Sequence, residues 1–212
     1  MRSDNSPDGL TFIEQARRAQ ILKATAEVVA NEGFSRASLT RIAQQAGVSK
    51  GVVTYHFSGK REILDQMVSD YYQRGWDYME PRISAEETAI GQVNAWISSQ
   101  IEFFTGNSTD FFASAAITTS LRDDVAVARA AADAREAVDG MADILLAGQQ
   151  EGQLRDFNPR SVANIILRSI DSVLMSWGDA TRYGQEIDIP AEISALKDFI
   201  AHAIRKDPTW ET

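Results

Sequence analysis

Between Ser49 and Lys60 the chain gathers Lys50, Thr54, Tyr55, His56 and Lys60, so that ammonium, hydroxyl and imidazole groups recur at short intervals. Such groups hydrogen-bond to oxyanions and to the polar edges of flat ligands, but they hold no paired acid and base. The two histidines, His56 and His202, have Val53 and Phe199 three residues before them, where a di-iron bundle would need glutamate. Zinc-ligand spacing, a glycine-rich phosphate loop and a Gly-x-Ser-x-Gly elbow do not occur. There is no cysteine, hence no disulfide framework and no thiolate. The acid pairs Glu86-Glu87 and Asp123-Asp124 diverge on a helix and read as solvated surface. The expected class is a binding protein, not an enzyme, with no metal and no cofactor.

The segment that must position these groups reads "SLTRIAQQAG-V-SKGVVTYHF". Its β-branched and aromatic residues favour a strand when taken alone. Everything around them has helical spacing, and propensity differences below about 1 kcal/mol per residue yield to docking. Ser38 and Ser49 suit the N-caps of two short helices, and Gly47 suits the sharp turn between them. Val53 and Phe57, four apart, share one face and can pack with Val48 on Ile42 and Ala46. Lys50, Gly51 and Thr54 fall on the other face. This is a helix-turn-helix pattern, whose second helix can enter a DNA major groove. Gly51 holds nothing away from the duplex, Thr54 and Val52 can reach base edges or thymine methyls, and Lys50 suits a guanine or a phosphate. Ser58-Gly59-Lys60 opens the next helix, where free amides and an ammonium suit a backbone phosphate.

Helical spacing continues through 12–32, from Ser58 to just before Pro81, and over 87–105, 108–121, 123–151, 159–182 and 190–206. No strand, repeat or low-complexity tract is evident, so the fold class is all-α with about nine helices. The expected organisation is a flexible tail at 1–11, a helix-turn-helix domain at 12–57, a connecting helix at 58–80 and a larger helical domain at 81–212. An apolar fraction of 44% supports a real core. The longest uncharged apolar stretch, Thr88–Ile101, has 14 residues and is too short to span a bilayer. With no signal-peptide pattern, the expectation is a cytoplasmic protein without a membrane partner.

Net charge is −9, yet residues 1–60 hold eight Lys/Arg against five Asp/Glu while the remainder holds 13 against 25. A basic head on an acidic body fits a protein that meets phosphates at one end. Arg17 and Arg18, at the start of the first helix, read as surface charges.

Residues 12–65 closely resemble the tetracycline-repressor (TetR) family of transcription regulators. The likeness lies in "NEGF" closing the first helix, then "ASLTRIAQQAGVSKGVVTYHF" and "SGKREIL". It implies that Gly47, Val53 and Phe57 shape the motif and that Lys50, Gly51, Thr54, Tyr55 and His56 face DNA. Lys60 would hold a phosphate, with Ser38, Arg41 and Ser49 among the DNA-facing residues. Thr54 stands where many members carry tyrosine, so the contact there should be shorter or lost.

The resemblance further implies a homodimer reading a palindromic operator in double-stranded DNA, and a small effector bound by the C-terminal domain. The last two long helices would form the interface through Ile166, Ile170, Leu174, Leu196 and Ile200. A pocket would draw on Trp76, Trp96, Phe103, Phe104, Phe111, Phe112, Met141 and Met175, whose aromatic content favours a hydrophobic effector. Asp171, in an apolar run, has three roles open: pairing with Arg168, capping the interface, or meeting a cationic ligand. Release of a repressor by its effector is the family's habit. The alternative is a helical ligand-binding adaptor that has lost DNA binding.

Overall fold

The structure, a computed structural model, describes residues 11–121 and 123–206. Among them are nine α-helices: α1 Phe12–Glu32, α2 Leu39–Gln45, α3 Lys50–His56, α4 Lys60–Ser84, α5 Ala89–Gly106, α6 Ser108–Ser120, α7 Asp124–Gln150, α8 Pro159–Arg182 and α9 Ile189–Ile204. A 3-10 turn, Phe34–Arg36, links α1 to α2. The all-α expectation holds, and α1 and α8 start and stop where their spacing indicates. The expected tail lies, up to residue 10, outside the described residues.

The helix ends follow local chemistry. Thr11 and Glu14 form a reciprocal capping box at α1. Ser38 and Ser49 accept from Arg41 N at 3.2 Å and Val52 N at 3.3 Å. Asn158 and Asp188 cap α8 and α9, each followed by an early proline. Gly47, at φ 65°, takes the left-handed turn between α2 and α3.

Two expectations about layout change. The spacing predicts a fourth helix ending before Pro81, but α4 runs through the proline to Ser84. Met79 and Ile83 on either side of it are buried, and their packing carries the helix one turn beyond the lost amide. The boundary expected at 81 also fails to collect every later helix. The chain forms two compact units, one holding residues up to Gln73 together with α6, the other Arg74–Gly106 and the chain from Asp123 on. Within the first, α6 lies on α1 and buries Ala113, Ser114 and Ile117.

In the second unit α5, α7, α8 and α9 enclose Val93, Ile97, Ile101, Met141, Leu145, Ile166 and Ile170. Gly148 on α7 is required by space: a Cβ there would stand 2.4 Å from the Ala89 Cβ and 2.8 Å from Leu154. Gly148→Ala is therefore expected to cost about 1–3 kcal/mol despite its better helix propensity, measured by urea denaturation.

Candidate nucleic-acid interface

α3 has seven residues, among them glycine, two valines and a threonine, and cannot persist alone. Val53 and Phe57 anchor it, at 0% and 2% exposure. Its opposite face leaves Lys50, Gly51, Thr54 and Tyr55 exposed, with His56 half-buried. Thr54 Oγ1 donates back to the Lys50 or Gly51 carbonyl, at 3.2 and 3.1 Å. The Tyr55 and His56 rings meet edge-to-face at 5.0 Å. Lys50 meets no carboxylate among the described residues, so its charge is open to a phosphate or a guanine.

Two clamps from α1 hold the motif from behind. Gln20 donates to the Ala46 carbonyl at 2.7 Å, securing the end of α2. Arg18 donates to the His56 carbonyl at the end of α3 and approaches Glu62 at 3.6 Å, with its guanidinium 4.1 Å from the centre of the Phe57 ring. Arg18 is thus no surface charge, as its side chain is only 22% exposed. Its spacing from Ile21, Leu22 and Thr25 puts it on the buried stripe of α1, and that spacing is the signal the sequence carries. Glu62 also accepts from the Ser58 amide and hydroxyl, both at 2.7 Å, and these bonds hold its carboxyl below the ordinary range.

Other residues expected to face phosphates are engaged within the unit. Arg41 is bound by Glu32 at 2.6 Å and donates to Gln45, which in turn reaches Glu27 at 2.7 Å. Pairing with Glu32 raises the Arg41 pKa and lowers that of the carboxylate. Lys60 donates to the Phe34 carbonyl at 3.0 Å and lies 4.6 Å from the Phe34 ring centre, and burial lowers its pKa. As placed, its charge fastens the 3-10 turn to α4, and the Ser58 amide belongs to Glu62.

The residues expected in the body separate into distinct environments. Trp96, Phe103, Phe104 and Met141 are buried in the second unit, and Trp76, half-exposed, meets Trp96 edge-to-face at 5.7 Å. Phe111 and Phe112 belong to the first unit and are half-buried there. Met175 is 67% exposed. Asp171 accepts from Arg168 at 3.3 Å, and burial raises its pKa against that pairing. The interface stripe needs revision on physical grounds. Ile166, Ile170, Leu174 and Ile200 are buried within the protomer and serve its own core, whereas Leu196 is half-buried. The large apolar side chains that α8 and α9 leave exposed are Ile165, Met175 and Phe199.

An all-α protein that presents a capped, clamped helix-turn-helix with a free lysine on its outer face has the build of a DNA-binding regulator. Residues 21–67 match the family described as bacterial regulatory proteins, tetR family. The chain is 26% identical over 190 residues to the fatty acid metabolism regulator protein of Bacillus subtilis (strain 168), spanning 87% of this chain and 94% of that protein. It is 39% identical over 54 residues to the HTH-type transcriptional regulator BetI of Vibrio vulnificus (strain YJ016), covering 26% of this chain and 27% of that one. The fatty acid degradation regulator FadR from Bacillus halodurans has a similar fold, with a TM-score of 0.73 at 17% identity over 87% of this chain and 94% of its own. The chain is thus similar to TetR-family DNA-binding transcriptional regulators, and over residues 21–67, which hold the helix-turn-helix, it matches that family's own pattern. Among the described residues no helix is long and apolar enough to cross a membrane.

The two lysines are expected to behave differently. Lys50→Ala should reduce the slope of log K against log salt by about 0.9 for each phosphate no longer neutralised, and a dimer presents this lysine twice. Lys60→Met should lower thermal stability and leave the slope unchanged. Fluorescence anisotropy across a salt series, with melting curves, checks both.

Proposed function

We propose that the protein is a repressor that acts as a homodimer on a palindromic operator and is released by a small, mainly hydrophobic effector. The observation that carries the DNA half is the outer face of α3, where Lys50, Gly51, Thr54 and Tyr55 stand free while Val53 and Phe57 are buried. A seven-residue helix reads few bases, and two copies about 34 Å apart read enough to be specific. The exposed apolar side chains Ile165 and Met175 on α8 and Phe199 on α9 support self-association through these helices.

The relative from Bacillus subtilis is named for fatty acid metabolism, which together with the aromatic and aliphatic content of the second unit favours an apolar or amphiphilic effector. The mechanism is a population shift: effector and operator favour different arrangements of the dimer, so each weakens the other, typically by about 1–3 kcal/mol. Such a protein works inside the cell.

Footprinting on DNA fragments from around the protein's own gene is the direct test. A protected palindrome, lost on adding fatty acids above a certain chain length, is the expected result. Phe199→Glu should yield a monomer by sedimentation and abolish protection while α3 is unaltered. Sequence-independent retention alone, on every fragment and with or without amphiphile, would favour an adaptor.

A further inference from the structure

The body of the protein is acidic, but one open groove of about 790 Å³ between α7 and α8 is lined, among the described residues, with three arginines and no Asp or Glu. From the geometry we infer that it binds a small multivalent oxyanion, of the phosphate-ester or pyrophosphate class. The proposal lies beyond the DNA-binding reading and does not depend on it.

The lining follows from helical spacing. On α8, Arg160, Asn164 and Arg168 recur every four residues and so share a face, with Asn158 and Ser161 at its start. Arg135 reaches in from the facing side on α7, beside Val138. The groove thus combines planar N–H donors with neutral amide and hydroxyl groups above a partly apolar floor.

Charge balance gives the site its sign. Arg160 pairs with Asp139 and Arg168 with Asp171, both acids standing outside the lining. Arg135 donates Nε–H to the Ala131 carbonyl at 3.2 Å and meets no carboxylate among the described residues. Each guanidinium has five N–H donors, so one ion pair leaves others for a ligand. Arginine forks match phosphate oxygens bidentately, which a single ammonium does not. A positive recess in a surface otherwise rich in Asp and Glu focuses an anion toward itself. An uncharged apolar ligand would leave these donors without partners, whereas a polyanion satisfies them.

The test is calorimetric titration of the full-length protein with inorganic pyrophosphate at constant ionic strength, with phosphorus NMR following the ligand. The expected result is saturable binding, one per chain, weakened at least about tenfold in the Arg135→Gln/Arg168→Gln double variant. Both side chains are exposed, so the unliganded variant should melt with the wild type. Wild-type heats no larger than those with chloride of equal ionic strength, or undiminished binding by the variant, would overturn the proposal. So would a variant that dissociates into monomers under conditions where the wild type is dimeric, because the arginines would then serve an interface between copies. A wild type that protects an operator and takes no pyrophosphate would sink this site alone and leave the regulator reading intact.

Discussion

The contact on which the proposed DNA-reading surface depends is the Arg18 clamp. One guanidinium stacks on Phe57, donates to the last carbonyl of α3 and faces the carboxylate that opens α4. α3 has neither the length nor the composition to be a helix unaided. Buried Val53 and Phe57 set its depth, Ser49 starts it, and Arg18 fixes where it stops. The three groups that Arg18 engages are brought to it by tertiary folding, so the position of Lys50, Thr54 and Tyr55 is a tertiary property. A charge held this way costs desolvation, which the carbonyl, the ring and Glu62 together offset.

Much of this is legible in the sequence because the helix ends are written in short-range chemistry. Ser38, Gly47 and Ser49 each act within a turn of their own position, and the spacing of Ile42, Val53 and Phe57 gives the packed side. The role of Arg18 escapes a sequence reading because its partners, His56 and Glu62, lie far along the chain, although its place on the α1 stripe hints at burial. Lys60 illustrates the same limit: the sequence places a cation at a helix start, and only the fold brings the Phe34 carbonyl to it. On α8 the difficulty is one of interpretation. A stripe at three- and four-residue steps looks the same whether it faces the protomer's core or a second copy. Ile166 and Ile170 are core, with Ile165 on the outside. α6 cannot be assigned from spacing at all, since its small buried face of Ala113, Ser114 and Ile117 says nothing about which neighbour covers it.

Charge separates the two units as clearly as packing does. In the first, cations are neutralised locally, Arg41 by Glu32 and Arg61 by Asp65, which leaves Lys50 as the exposed cation of α3. In the proposed dimer, specific binding would rest on a few well-placed groups and on two copies acting together, in keeping with a chain whose net charge is −9. In the second, the acidic surface is interrupted by the arginine-lined groove of α7 and α8.

The claim that α3 is held in register from α1 is tested most directly by amide hydrogen exchange in Arg18→Met, read together with operator affinity. The account expects faster exchange at residues 50–57 and weaker binding, with protection in α8 and α9 unchanged. Unchanged protection of α3 with weakened affinity would mean that Arg18 meets DNA itself. Unchanged protection and affinity would show that the clamp is dispensable, and either result would contradict the account.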